Sequence, residues 1–442
     1  MKRTLITIVL LATAVWANAQ TLSLRECLEK GLENNYSLRL SRNDEQISHN
    51  NATLANAGFL PSISLNAGYN ADLSSSDREL RATGETQKIR NSFDQALNAG
   101  IGLDWTIFDG FNISTNYKQL KELERMGETT TRIALEDFIA GLTAEYYNFI
   151  QQKLRLANYY YAVQLSKERL RIVEERYNIG NFSRLDYQQA KVDFNADSAQ
   201  YIKQQETVLT SRIALNEMMA IDQVYTPIET SVTTITADTT LQFNALWENL
   251  LANNANLMLA DHNNRLVQLD YKKVLSRNYP YVKFKAGYDY IFNKYDTNSY
   301  TRQSNWGGSA GLTIGFNLWD GNRRREKRNA KIEIANAELR RNQLELALKA
   351  ELGNLWQAYR NNIQLLNLEK QNVITARENH DIAKERYMLG DISGIEMREA
   401  QKSLLDAEER LLTVEYQTKL CEISLLQISG GISRYFEESP AN

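Results

Sequence analysis

The sequence predicts an α+β membrane protein in which very long helices adjoin a few amphipathic strands. Only 4 of its 442 residues are proline, and because proline disrupts helix interiors, long stretches are free to form unbroken helices. Four segments alternate between apolar and polar side chains, the pattern of strands with two different faces. Matching segments recur in the same order in both halves of the chain, which indicates two internal structural repeats.

The first 19 residues have the features of a secretory signal peptide. Lys2 and Arg3 precede an apolar run from Leu5 to Val15, and Ala17-Asn18-Ala19 matches the small-residue cleavage pattern. The apolar run is too short to span a bilayer as a helix. We therefore expect cleavage after Ala19. Beyond that point no stretch is apolar for 18 residues, so we expect strands to make any membrane contact.

The composition argues against several classes of protein. A net charge of −3 does not favour nucleic-acid binding. Three dispersed histidines, and no phosphate loop or nucleophile triad, predict no metal site, no cofactor and no enzymatic activity. Two cysteines cannot form a disulfide framework. Cys421 is expected to be a small buried hydrophobe, and a Cys27–Cys421 disulfide is the alternative.

The duplication is visible in three ordered matches. They are Arg176 to Gly180 with Arg386 to Gly390, Phe108-Asp109-Gly110 with Trp319-Asp320-Gly321, and Pro61 to Tyr69 with Pro280 to Tyr288. Each half is predicted to run helix, strand, loop, strand, very long helix, tight turn and long helix. We expect a first repeat at 20–221, an extended linker at 222–243, a second repeat at 244–430 and a tail at 431–442.

Four strands are predicted, at about 60–72, 96–108, 280–292 and 306–319, separated within each half by polar loops at Leu73 to Phe93 and Asn293 to Ser304. Half-buried soluble sheets also alternate. Strands of about ten residues with aromatic ends are typical of membrane barrels. The aromatic residues expected to form a lipid-facing girdle are Trp105, Tyr290, Trp306 and Trp319.

Four strands are too few to close a membrane barrel, which needs about eight or more. Open sheet edges are not tolerated in lipid, so we expect several chains to share one barrel. Two chains would supply eight strands and three would supply twelve, and strand arithmetic leaves both open.

The long helices carry apolar residues at heptad-like spacing, which indicates lengthwise packing as a coiled coil or as an ordinary bundle. The predicted seams are Tyr147, Ile150, Leu154, Ala157, Tyr161 and Leu165, then Leu348, Leu352, Leu355 and Tyr359, and Leu404, Ala407, Leu411, Val414, Thr418, Cys421 and Leu425.

Each pair of long helices is predicted to turn at a glycine. Gly180 and Gly390 suit the left-handed position that follows a helix end. Ser183 and Ser393 suit the N-cap of the next helix, and an acid follows each serine at capping-box spacing, Asp186 in the first turn and Glu396 in the second.

The signal peptide, the duplicated unit and the two Arg-Tyr-x-x-Gly tips resemble the TolC-type outer-membrane factors, over nearly the whole mature chain. The resemblance implies a homotrimer with a twelve-stranded outer-membrane barrel and an α-helical tunnel through the periplasm. It also implies closure at the helix tips, and docking of a periplasmic adaptor that connects to an inner-membrane transporter.

Carried onto this chain, the resemblance assigns a ring of carboxylates to Glu396 and Glu399, and links between tips to Asp186 and Tyr387. The family position that often carries a linking arginine is Ile392 here, and Arg398 is the candidate for a different link. The expected adaptor-docking residues are Gly180, Asn181, Phe182, Ser183, Gly390, Asp391, Ile392 and Ser393.

A basic run, Arg323 to Arg328, follows the last strand. Its position suggests contact with phospholipid head groups where a barrel meets the periplasm, and an ordinary solvated helix start is the alternative. The function predicted overall is an export duct for small molecules or proteins. The alternative is a structural or adhesive coiled-coil surface protein without transport.

Overall fold

The computed structural model of the chain describes residues 20–79, 81, 83–180, 182–297 and 300–433. The predicted signal peptide, Asn181 and residues 434–442 of the predicted tail lie outside these ranges. Most of the described residues are helical, and the rest of the regular structure forms two sheets. None of the described helices combines the length and the apolar character that crossing a bilayer requires.

Four of the described helices are much longer than the eleven or so residues of an average helix. Two have 67 residues and two have 35. In chain order the helices are α1 (Leu24–Asn34), α2 (Tyr36–Asn51), α3 (Leu54–Ala57), α4 (Asn112–Asn178), α5 (Arg184–Met218), α6 (Phe243–Asn253), α7 (Ala255–Ser276), α8 (Arg323–Leu389) and α9 (Gly394–Ile428).

The strands form one sheet of four and one of two. They are β1 (Gln20–Leu22), β2 (Ser62–Glu79), β3 (Thr86–Asp109), β4 (Ile228–Thr230), β5 (Tyr281–Lys294) and β6 (Arg302–Gly315). The larger sheet is antiparallel in the order β2-β3-β5-β6. In the smaller sheet β1 pairs with β4 in parallel, and β4 lies inside the predicted linker.

The β2–β3 hairpin is longer than its sequence suggests. The stretch from Leu73 to Phe93, expected to be a polar loop, is mostly paired strand. Leu73 faces Phe93, and pairing continues to Glu79 and Thr86 after a bulge near Ser74. Cross-strand pairs sustain this polar end of the hairpin, including the ion pair of Asp77 with Arg90.

The last strand of the sheet lies earlier than its predicted range of 306–319. It spans Arg302–Gly315, so residues 316–319 follow it and belong to no strand. Gly315 pairs with Tyr281, the first residue of β5. Pro280 precedes that residue and has no N–H to extend the ladder, which explains why pairing stops there.

The chain divides into two compact units. One contains the described parts of Met1–Asn43, Thr129–Met258 and Asn342–Asn442, and the other contains Asp44–Glu128 and Leu259–Arg341. The four-stranded sheet belongs to the second unit. The first holds two apolar clusters, one around Leu142 and Tyr146 and one around Leu352 and Leu425.

Heptad spacing predicts the packed face of α9 well but that of α4 only in part. Leu404, Ala407, Val414, Thr418 and Leu425 are all buried. In α4 the predicted positions Ala157 and Tyr161 are exposed, and the buried positions shift to Ala162, Ser166, Arg169 and Val173. An α-helix has 3.6 residues per turn, so a strict seven-residue stripe drifts around a straight helix.

The two cysteines are free thiols, so the possible disulfide is not formed. Cys27 is fully buried in the first apolar cluster, and burial raises the pKa of its thiol to about 12. Cys421 is partly buried rather than fully buried, and its Sγ accepts a hydrogen bond from Asn362 at 3.5 Å. Burial raises the pKa of this thiol as well.

Candidate functional site

The register of the four-stranded sheet places the apolar residues of all four strands on one face. Leu65 pairs with Ile101, Ile101 with Tyr288, and Tyr288 with Gly308. Side chains two residues apart on a strand share a face, so neighbouring rows continue the pattern. Those rows are Ile63–Leu103–Ala286–Ala310 and Ala67–Ala99–Tyr290–Trp306.

This apolar face is exposed in the single chain. Leu65 is 77% exposed and Ile314 is 69% exposed. A soluble antiparallel sheet normally turns its apolar face towards a core and its polar face towards water. Here nothing in the described ranges covers the apolar face, which makes the sheet a candidate surface for lipid.

The opposite face of the sheet is polar and lined by small residues. One row across it is Ser64–Gly102–Gly287–Ser309. In the next row, Lys285 forms an ion pair with Asp104 at 2.8 Å. This face could line an aqueous space, because it offers charges and hydroxyl groups.

The predicted girdle residues lie at two levels along the strands. Tyr290 is the cross-strand partner of Trp306, while Trp105 is the partner of Phe284 and donates its indole N–H to the Phe59 carbonyl at 2.9 Å. Phe284 and Tyr290 are six residues apart in β5, which is roughly 20 Å of strand. Trp319 lies just beyond β6 and is 86% exposed.

The helix tips form a second candidate site, and both predicted capping boxes are confirmed. Ser183 caps α5 with Asp186, and Ser393 caps α9 with Glu396. Each acid accepts hydrogen bonds from the amide and hydroxyl of its own serine. The preceding glycines have the expected left-handed backbone, with φ of +81° at Gly180 and +86° at Gly390.

The two tips also expose apolar side chains that sequence reasoning missed. Ile179, Leu185, Leu389 and Ile395 are each more than 70% exposed. They could have been found from the repeat, because Ile179 matches Leu389 and Leu185 matches Ile395 about the two tip glycines. Of the expected docking residues, Phe182 and Ile392 are half-buried, while Ser183, Asp391 and Ser393 are exposed.

The two carboxylates of the expected ring have different surroundings. The hydrogen bond from the Ser393 backbone lowers the pKa of Glu396, and the Ser393 hydroxyl adds to that effect. Glu399 is exposed one turn further along α9. Glu396 therefore has a structural task in the helix cap, which Glu399 does not share.

Tyr387, expected to link the tips, is buried within its own chain. It is 3% exposed, and its hydroxyl has no hydrogen-bond partner among the described residues. The Arg176 guanidinium lies 5.9 Å from the centre of its ring and 5.4 Å from that of Phe182. Burial raises the pKa of Tyr387. The Asp186 carboxylate bonds to Ser183.

Arg398 joins α9 to α5. Its guanidinium donates to the Asp197 carboxylate at 2.7 and 3.1 Å. One turn earlier in α5, Asp193 accepts a hydrogen bond from the buried Arg169 at 2.6 Å. Sequence reasoning missed Arg169, Asp193 and Asp197. The one available signal was the spacing of the two aspartates four residues apart, which places them on one helix face.

A metal centre is not evident at either site. Among the residues that the structure describes, no three His, Cys, Asp or Glu side chains are grouped closely enough to hold an ion. The tips and the sheet instead offer exposed apolar and charged surfaces.

Comparison with solved structures shows the fold. A membrane protein from Pseudomonas aeruginosa is 16% identical with a TM-score of 0.75, over 92% of this chain and 90% of its own. VceC, an outer membrane protein from Vibrio cholerae, is 18% identical with a TM-score of 0.74, over 92% and 96%. The CmeC outer membrane channel from Campylobacter jejuni is 15% identical with a TM-score of 0.74, over 94% and 88%.

Comparison of sequences identifies the family. Outer membrane protein TolC from Vibrio cholerae is 27% identical over 171 residues, and the match spans 38% of this chain and 37% of that relative. The model of the family described as outer membrane efflux protein matches residues 27–220 and 246–431, most of the chain. The chain belongs to the outer membrane efflux protein family.

Proposed function

We propose that this chain forms an exit duct in the outer membrane of a Gram-negative cell. Three copies assemble into a homotrimer with a twelve-stranded barrel in the membrane and an α-helical tunnel in the periplasm. The duct exports small molecules or proteins, opens at the helix tips, and works with a periplasmic adaptor and an inner-membrane transporter. The chain itself is exported with a signal peptide that is cleaved after Ala19.

The exposed apolar face of the sheet carries this proposal. Leu65, Ile101 and Ile314 are exposed on it, and the charged pair of Lys285 with Asp104 lies on the other face. In water, this arrangement is unfavourable by about 25 cal/mol for each Å² of apolar surface left exposed. In a membrane barrel it is favourable, because the apolar face contacts lipid and the polar face lines the lumen.

The edges of the sheet support a shared barrel. Among the residues that the structure describes, β2 pairs only with β3, and β6 pairs only with β5. Unpaired backbone groups are very costly in lipid, so β6 of one copy must pair with β2 of the next. Repeating this step around an axis gives a closed ring with cyclic symmetry. Three copies of the four strands give the twelve that the family resemblance implies.

Helix lengths support the two proposed repeats, at 20–221 and 244–430. The long helices α4 and α8 both have 67 residues, and the returning helices α5 and α9 both have 35. Matching helices of this length suit the wall of a tunnel, in which each repeat contributes one hairpin.

For the periplasmic gate we propose Glu396 and Glu399 as a ring of carboxylates, with Asp186 and Tyr387 at the contacts between tips. Arg398 acts in the same region by holding Asp197 within its own chain. A narrow ring of six carboxylates in a trimer would favour cations over anions.

For adaptor docking we propose the two tip turns, Gly180 to Ser183 and Gly390 to Ser393. The exposed apolar pairs Ile179 with Leu185 and Leu389 with Ile395 flank these turns. An apolar patch beside a polar turn suits contact with another protein.

Reconstitution tests the proposal. The mature chain, with both cysteines replaced by serine, receives one new cysteine on β2 and one on β6, and is refolded in lipid. We expect heat-modifiable migration, a cross-linked trimer and ion conductance in planar bilayers. Variants with only one of the two new cysteines are the controls. A helical, lipid-bound chain without conductance would favour the adhesive coiled-coil alternative and reject the duct.

A further inference from the structure

A dense positive charge surrounds the start of α8, where the chain leaves the sheet. Residues 320–328 carry five cations and two carboxylates, Asp320 and Glu326, and Arg277 adds a sixth cation through its ion pair with Glu326. We call the six cations the basic rim, and they are Arg277, Arg323, Arg324, Arg325, Lys327 and Arg328.

Two members of the basic rim hold the segment in place. Arg277 forms an ion pair with Glu326 at 2.5 Å. Arg323 donates to the Asn278 side chain at 3.3 Å and to the Asn317 carbonyl at 3.0 Å. These contacts join the start of α8 to the end of α7 and to the segment after β6.

The other four cations are available to a ligand. Arg324, Arg325, Lys327 and Arg328 are exposed, and none forms an ion pair within the described residues. The Asp320 carboxylate, the other acid of residues 320–328, accepts a hydrogen bond from the Asn322 amide at 3.0 Å.

Helix stability does not explain these cations. The N-terminus of a helix is the positive end of its dipole, so cations in the first turn are unfavourable. The matching helix of the other half, α4, begins Asn112-Ile113-Ser114 and has no cation in its first six residues. There, the Asp109 carboxylate accepts a hydrogen bond from the Ile113 amide at 3.0 Å. The corresponding junction between strand and long helix in the first half therefore forms without a cluster of cations.

Exposed aromatic and apolar side chains lie beside the basic rim. Phe316, Leu318 and Trp319 are exposed in the segment that Arg323 contacts through Asn317. Tyr279 follows Asn278, the other partner of Arg323, and its ring packs edge-on against exposed Phe111 at 5.8 Å. Aromatic rings next to cations are typical of the boundary between a bilayer and water.

We propose that the basic rim binds the phosphate groups of anionic phospholipids, whose acyl chains lie against the neighbouring aromatic and apolar residues. The inference rests on the proposed function, which places this end of the sheet at the periplasmic leaflet of the outer membrane. The negative charge of a phosphate group complements the four unpaired cations. The exposed aromatic and apolar residues beside the basic rim favour a lipid over a free phosphate ion, because only a lipid has acyl chains to contact them.

The test uses the full mature chain, assembled in phosphatidylcholine bilayers with trace spin-labelled phosphatidylglycerol or phosphatidylcholine. Electron paramagnetic resonance measures how strongly each labelled lipid associates with the protein. We expect a preference of about fivefold for phosphatidylglycerol, which falls at 1 M salt because salt screens exposed charges. In the variant R324Q/R325Q/K327Q/R328Q we expect the preference to fall to about one, with conductance retained.

The matched control removes four exposed cations elsewhere, in the variant K167Q/K191Q/K203Q/K402Q, and should keep the preference. Equal association of both lipids with wild type, a preference that persists in the rim variant, or an equal loss in the control would each overturn the inference. Absence of trimers and conductance in wild type would instead reject the proposed duct, so the two failures are distinguishable.

Discussion

The guanidinium of Arg398 donates hydrogen bonds to both carboxylate oxygens of Asp197, at 2.7 and 3.1 Å, across a sequence separation of 201 residues. A planar guanidinium matches a carboxylate in this two-point geometry. Asp193 lies near the same guanidinium, at 4.0 Å from its Nε, and pairs with Arg169. Two arginines and two aspartates thus connect three long helices, with Arg169 on α4, the two aspartates on α5 and Arg398 on α9.

We expect Arg398→Gln to loosen this joint. A hydrogen bond to a charged, partly buried group contributes about 2 kcal/mol, so the variant should unfold at lower temperature and should leak ions in planar bilayers. Lys402→Gln removes an exposed cation from the same helix and serves as the control. The exchange Arg398→Asp with Asp197→Arg should restore part of the loss. Equal behaviour of the Arg398 and Lys402 variants would show that the pair contributes nothing.

The proposed carboxylate ring predicts cation selectivity. Glu396→Gln with Glu399→Gln should reduce the preference for cations, because it removes up to six charges from a trimeric entrance. Glu399→Gln alone should lower selectivity without disturbing the cap of α9. The measurement is the reversal potential in a salt gradient across a planar bilayer. An unchanged reversal potential in the double variant would contradict the ring.

The cap of α9 predicts a pH dependence at the second tip. The pKa of Glu396 in the folded chain lies below its ordinary value of 4.5, because Ser393 donates to the carboxylate. A lowered folded pKa means that the cap stabilises the helix above pH 4.5 and that this contribution is lost as the pH falls through the folded pKa. Hydrogen exchange of the Ser393 region, corrected for intrinsic rates, should show protection falling below pH 4.5.

The variant Glu396→Gln should lose most of this pH dependence, since its amide does not titrate. Glu399→Gln is the matched control, and its exchange should follow that of the wild type. Protection in wild type that stays constant down to pH 3 would show that the carboxylate does not support the cap.

Gly390 offers a test of adaptor docking. Its φ is +86°, and apart from its chain neighbours no described atom lies within 4 Å of the position that a Cβ would occupy, so a side chain there has open space. Gly390→Trp should assemble in the membrane but abolish transport in cells. Gly390→Asn is the control, because asparagine tolerates left-handed backbone. Full transport by the tryptophan variant would refute docking at this turn.

Neighbouring residues of β6 test which face of the sheet meets lipid. Ala310 belongs to the apolar face and Ser309 to the polar face, and both are exposed. Ala310→Arg should reduce trimer assembly, because an arginine near the middle of a bilayer costs about 2–4 kcal/mol. Ser309→Arg should assemble normally and alter only conductance. Heat-modifiable migration measures assembly. The opposite ranking would mean that the faces are reversed.

Local patterns predicted local structure well in this chain. The capping boxes at Ser183 and Ser393 were predictable because a cap depends on residues three apart. The limits of β2 and β3 were not predictable from local sequence. The polar stretch after Leu73 forms a strand because β2 and β3 pair with each other. The drift of the buried face in α4 depends likewise on which neighbours pack along it.

The sequence by itself determined the positions of the long helices, the tip turns and the alternation of each strand. These features depend on residues close together in the chain. Only the tertiary structure decided that the apolar faces of four strands coincide, and that Arg398 meets Asp197 rather than solvent. Such relationships depend on strand register and helix packing between distant segments, and many combinations of these are compatible with the same local patterns.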